Sequence, residues 1–152
     1  MAHEPLHDAN EVVDDFASQL ADLAGANDAK LTRIQEGSSD RSFLIELSTA
    51  RVGFVAKLSQ SERGFWGLGI EKASEMIECA EHLVLLTAAD EGYFVSSTRL
   101  KHLTPQLSHS GRDYKIGESR IKKEPRFRSL EELWDILRER LAKASTATVV
   151  RG

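Results

Sequence analysis

The most constraining stretch runs from Lys30 to Leu58, where three short strand-like segments are joined by connections of only a few residues. Lys30 to Gln35 alternates, with Leu31 and Arg33 on one side and Thr32 and Ile34 on the other. Ser42 to Leu47 reads SFLIEL, apolar but for Glu46, and Val52 to Leu58 reads VGFVAKL. Gly37-Ser38-Ser39-Asp40 has the composition of a turn, and Thr49-Ala50-Arg51 makes a tight connection. Links this short leave no room for a crossover helix, so the three segments are expected to pair as an antiparallel meander.

Helical patterns flank the meander. Val12, Val13, Phe16, Leu20 and Leu23 recur at helical spacing, which predicts a helix from Asn10 to Leu23 with a stop at Gly25 and Asn27. A second helix is expected over Ile70 to Glu81, followed by Leu83 to Thr87 (LVLLT), an apolar run suited to the centre of a covered sheet. Tyr93 to Ser96 can return beside it after the turn at Asp90-Glu91-Gly92. Ser97 to Leu103 reads as a short helix ended by Thr104-Pro105, and Tyr114-Lys115-Ile116 as a small strand. Ser129 and Glu132 form a capping box ahead of a last helix whose stripe is Leu130, Leu133, Trp134, Leu137 and Leu141. The expected class is therefore α/β, a central mixed sheet with an N-terminal helix, strand meander, middle helix, further strands and a C-terminal helix. At 152 residues the chain fits one domain, residues 1–144, followed by a flexible tail at 145–152.

No apolar run approaches the roughly 20 residues that span a bilayer, so no membrane segment is expected. The opening MAHEPLHDANEVVDDF is acidic and lacks the basic-then-apolar layout of a secretory leader. The single cysteine, Cys79, cannot form an internal disulfide, which suits a reducing compartment, and cytoplasmic localisation is expected. The net charge of −4 conceals a polarity along the chain. Met1 to Ala29 carries seven acids and no Lys or Arg, whereas Ser97 to Arg128 carries nine basic residues against three acids. That second segment can bind a polyanion, with Lys115, Arg120, Lys122, Lys123 and Arg126 as the candidate contacts. The plainer expectation is that it is solvated, or neutralised by the acidic first helix.

Two residues of the meander carry a chemical suggestion. Asp40 stands at the entrance of the second strand, and Lys57 lies in Val55-Ala56-Lys57 on the third. With the helix–meander–helix–strand order, this resembles the restriction-endonuclease-like superfamily, PD-(D/E)XK, from about Glu11 to Ser96. The resemblance implies a metal-dependent nuclease acting on DNA or RNA. An acid near the second strand and an acid-x-lysine on the third would hold Mg²⁺, and the lysine would orient the attacking water. Residues two apart on a strand share a face, which is what that spacing uses. Gln60 resembles the glutamine that follows the lysine in some members. The second acid's position is Val55, a departure from the motif. Glu46 or Glu36 would have to replace it, or Glu11 or Asp15 from the first helix. The implied set is thus Asp40, Lys57 and Glu46, with Asp40 and Glu46 on the metal. The bland alternative makes Asp40 a turn residue and Lys57 a strand-edge lysine.

Other readings stand beside this one. The chain can be a non-catalytic interaction module or regulatory subunit, including a homodimer, using the acidic helix or the Phe65-Trp66 pair. That pair can also be a base-stacking platform, or fold back and seal the core. Gly64-Phe65-Trp66-Gly67-Leu68-Gly69, after a strand and opening a helix, is loosely similar to the pyrophosphate loop of GNAT-type acetyltransferases and implies acyl-CoA binding. Neither register of its glycines fits that family. His82, His102 and His109 lack zinc-site spacing, and His82 is expected to be structural.

Overall fold

The structure is a computed structural model that describes residues 9–34, 42–59 and 64–151. Nine strands and four helices follow in the order α1 (Ala9–Ala26), β1 (Lys30–Ile34), β2 (Ser42–Leu47), β3 (Ala50–Leu58), β4 (Phe65–Gly69), α2 (Ile70–Glu78), β5 (His82–Ala88), β6 (Glu91–Val95), α3 (Ser97–Leu103), β7 (Ser108–Ser110), β8 (Asp113–Gly117), β9 (Arg126–Phe127) and α4 (Leu130–Arg151). Six strands make a mixed sheet in the order β1-β2-β3-β5-β6-β9, in which only β3 and β5 run parallel. This is the expected α/β class with helices at both ends of the chain. The predicted turn at Gly37-Ser38-Ser39-Asp40 lies outside the described residues.

The meander forms as its short links require, with β1–β2 and β2–β3 both antiparallel. The second connection is tighter than expected. Ser48 and Thr49 alone make the turn, Ser48 at φ 58°, so Ala50 and Arg51 already belong to β3. The first helix also ends differently. It runs through Gly25, and the left-handed residue is Asp28 at φ 64°, with the Ala29 N–H returning to the Ala24 carbonyl at 2.9 Å. Asn27 contributes by donating its side-chain amide to the Leu23 carbonyl at 2.8 Å.

Strand alternation sorts the core into two layers. Phe43, Ile45, Phe54, Ala56, Val84, Leu86, Phe94 and Phe127 face α1 and α4. Val55, Leu83, Leu85, Tyr93 and Val95 face the other way. β5 is buried on both faces, in keeping with its unbroken apolar run. The second layer is closed by α2, α3 and a small sheet, β4-β8-β7, that was not foreseen. Trp66, Leu68 and Ile116 of that sheet are fully or almost fully buried. At Gly92 the backbones of β5 and β6 approach so closely that a Cβ would lie 2.1 Å from the Leu85 carbonyl oxygen. The capping box of α4 closes as predicted on one side, Glu132 N–H donating to Ser129 Oγ at 3.2 Å, while Glu132 Oε1 accepts from the Arg128 N–H at 2.6 Å. Helical backbone continues through Arg151, past the expected start of a tail. No helix among the described residues is long and apolar enough to cross a membrane.

Candidate nucleic-acid interface

Lys57 lies near the C-terminal end of β3, on the face shared with Val55 and opposite that of Phe54 and Ala56. Val55 is 1% exposed and paired with Ser42, so a packed methyl pair occupies the position where the resemblance asks for a carboxylate. Glu46 does not make up the loss. It faces the same side but pairs with Arg51 at the other end of the hairpin, its carboxylate 3.3 Å from the Arg51 Nε. Lys57 lies six residues along the strand from Arg51, about 20 Å at the rise of a β-strand. Glu11 and Asp15 sit on α1, which packs on the opposite face of the sheet. Asp40, Glu36 and Gln60 lie outside the described residues. Among the described residues no three His, Cys, Asp or Glu side chains gather in a way that could hold a metal ion.

What the sheet does bring into line with Lys57 was not anticipated. Lys57 pairs with Leu85, Leu85 with Tyr93, and Tyr93 with Arg126, so one row crosses four strands. At about 4.8 Å per strand the row spans about 14 Å from Lys57 to Arg126. The Tyr93 hydroxyl donates to Glu118 Oε2 at 2.5 Å, and the Arg126 guanidinium sits 5.4 Å from the centre of the Tyr93 ring. Burial raises the phenol's pKa, and the hydrogen bond and charge of Glu118 add to this, while Arg126 and Arg128 oppose it. Glu118 is placed by its N–H bond to the Gly64 carbonyl at 3.0 Å. Gly64 is left-handed (φ +79°), and a Cβ there would stand 3.2 Å from the Glu118 carboxylate.

The five predicted phosphate contacts are all exposed. Arg120, Lys122 and Lys123 ride on the connection between β8 and β9, Arg126 begins β9, and Lys115 faces outward from β8, whose Ile116 points into the core. None of the five forms an ion pair among the described residues. The connection itself is anchored. Ile121 is fully buried, and the Glu124 carboxylate, 3% exposed, accepts from Arg99 Nε at 3.1 and 3.2 Å and Nη2 at 2.8 Å. The hydrogen bonds and charge of Glu124 in turn raise the pKa of Arg99. On α1, which packs in the other layer, Asp14 pairs with Arg33.

Two rival sites dissolve. Trp66 folds back into the core, 0% exposed, and its indole N–H donates to the Leu86 carbonyl at 3.1 Å, so it offers no stacking face. Phe65 to Gly69 is a strand paired with β8 rather than a loop, and the first N–H of α2 donates to the Arg112 carbonyl at 2.8 Å. The strand pairs with β8 along one edge, and the Phe65 N–H donates to Ser59 Oγ at 3.1 Å, so these residues do not form a phosphate-cradling loop. His82 is structural, 8% exposed, with Nδ1 accepting from the Ser97 N–H at 3.0 Å.

No protein-family model matches the chain, and no curated protein matches it. Among solved structures, the fold is similar to that of Hjc, a Holliday junction resolvase from the archaeal hyperthermophile Archaeoglobus fulgidus. The TM-score is 0.51 at 10% sequence identity, over 74% of this chain and 89% of that one. At such identity the likeness is one of fold alone.

Proposed function

We propose that the protein is a nuclease-like nucleic-acid-binding protein that grips the sugar–phosphate backbone through Arg120, Lys122, Lys123 and Arg126, with Lys115 as an outlying contact. One observation carries this reading: an exposed basic segment, without ion-pair partners among the described residues, is held in place by Ile121 and the Arg99–Glu124 pair. Its Arg126 ends the row that begins at Lys57. Fixing four cations costs less entropy on binding than ordering a loose loop would. Phosphate contacts of this kind position a strand without reading its sequence.

Mg²⁺ would supply charge neutralisation and an activated water at such a centre. The described residues do not make up its ligand set, because Val55 is a buried aliphatic and Glu46 is tied to Arg51. In the catalytic form of the proposal, Asp40 is the acid that works with Lys57, which requires the β2–β3 register to continue two residues beyond Ser42↔Val55.

The test is binding of labelled single- and double-stranded DNA and RNA over a salt series, repeated in Mg²⁺ and in EDTA. Binding should weaken steeply with salt, and Lys122→Ala with Lys123→Ala should flatten the log–log slope by about 1.8 on duplex or about 1.4 on single strands. Metal-dependent cutting lost in Lys57→Ala and in Asp40→Asn would establish the catalytic form. Absence of binding to every polynucleotide at low salt would overturn the proposal in favour of a protein-interaction module.

A further inference from the structure

Beyond the basic segment, the opposite end of the main sheet holds a cavity that none of the preceding chemistry uses. It has a volume of about 570 Å³ and opens where the β2–β3 hairpin, the end of α2 and the middle of α4 meet. Arg51, Arg140 and Lys143 line it against a single carboxylate, Glu81. This volume lies within the range of small-molecule sites.

Four residues of the lining favour an anion. The Arg140 Nε is buried and has no hydrogen-bond partner, so a guanidinium donor has lost its water without gaining an acceptor. Its guanidinium is held 5.8 Å from the centre of the Phe94 ring, at the wall between this cavity and a neighbouring one lined by Arg99, Lys123 and Glu124. His82, also in the wall, accepts at Nδ1 from the Ser97 N–H, so its own proton resides on Nε2 and it is a neutral donor. Arg51 is 66% exposed and its Glu46 contact is a single 3.3 Å bond, weak enough to be exchanged for a better acceptor. Lys143 forms no ion pair among the described residues.

We infer that this cavity is a binding site for a phosphate group, carried by a small molecule of mononucleotide or pyrophosphate size, with Arg140 as the fork and Arg51 and Lys143 as flanking charges. Arginine's planar fork matches phosphate oxygens in pairs, and a half-enclosed site strengthens such bonds. No residue of the Arg120–Arg126 segment lines this cavity, although Arg140 also borders a neighbouring one beside Lys123 and Glu124, and the inference does not depend on the nucleic-acid proposal.

Calorimetric titration with inorganic phosphate, pyrophosphate and AMP, at ionic strength matched with chloride, tests the inference. Saturable binding is expected for at least one of the three. Arg51→Gln with Lys143→Gln, both exposed positions, should weaken it about tenfold or more while leaving the melting temperature without ligand unchanged. Arg140→Lys keeps the charge but removes Nε and should weaken binding comparably, whereas Lys115→Ala with Arg120→Ala, at positions that line neither cavity, should not alter it. A 5′-phosphorylated oligonucleotide separates the sources. If it displaces the small ligand the phosphate is that of a strand end, and if it does not the ligand is a free small molecule. No saturable response to any probe, or binding indifferent to both the Arg51/Lys143 and the Arg140 substitutions, overturns the assignment.

Discussion

His82 shows what burial does to a single titratable group. Burial, and then the charge of Arg140, lower its pKa from 6.5 to about 4. The folded state thus refuses a proton that the unfolded chain takes up between those values. Stability is complete above about pH 6.5, declines as pH falls, and has lost this contribution, about 3 kcal/mol, by pH 4. His82→Asn keeps an acceptor where Nδ1 stands. Urea denaturation at pH 7 and pH 4.5 should therefore show a smaller acid loss in the variant than in the wild type, and equal losses would contradict the assignment. Ala80 carries a different residue-scale cost. It ends α2 at φ 57°, with the Glu81 N–H returning to the Met76 carbonyl at 2.8 Å, in the position where glycine is usual. Ala80→Gly removes a Cβ clash worth about 1–2 kcal/mol but loosens the unfolded chain, so a net gain of about 0.5–1 kcal/mol is expected from the denaturation midpoint.

At the scale of elements, the basic connection between β8 and β9 depends on one apolar side chain among its charges. Ile121→Ala should cost about 2–5 kcal/mol. It should also raise amide exchange across residues 120–126 more than in β2, whereas uniform exchange would mean that Glu124 alone anchors the segment. The same scale explains what the sequence discloses. Ser42–Leu47 has the bounds predicted from its pattern because a strand beside a two-residue turn has its partner encoded next to it. The sheet of β4, β8 and β7 is not legible that way. Trp66 pairs with Ile116, fifty residues on, and its strands are short, glycine-rich or polar. The candidate site divides along the same line. Period-two spacing puts Glu46 and Lys57 on one face, yet only the register reveals that they occupy opposite ends of the hairpin. The Tyr93–Glu118 pair has no local signal at all, since Glu118 is brought to the row by β8 and Gly64.

Across the whole molecule, the charge polarity of the chain becomes a polarity of faces. The acids of α1 lie in the layer of Phe43 and Phe54, while the basic connection is rooted by Ile121 in the layer of Val55 and Tyr93. The two approach at one edge, where Asp22 of α1 lines a cavity with Ser129, Leu130 and Glu131. Beyond the Debye length of about 10 Å at 0.1 M salt, attraction between the two groups is largely screened. This separates two outcomes that sequence counting leaves equivalent. Replacing exposed Asp15 and Asp22 by Asn changes the net charge by as much as replacing Lys122 and Lys123 by Ala, with opposite sign. If the faces act independently, the first pair of substitutions should leave nucleic-acid affinity near 0.15 M salt within about twofold, while the second weakens it by about tenfold or more. A gain from the aspartate substitutions as large as the loss from the lysine ones would mean that α1 masks the basic segment through space. Lowering the salt to about 0.01 M, where the Debye length reaches about 30 Å, should make the α1 charges felt as a modest gain in the aspartate variant. An effect that grows as salt falls marks long-range coupling, whereas one that is constant marks direct contact.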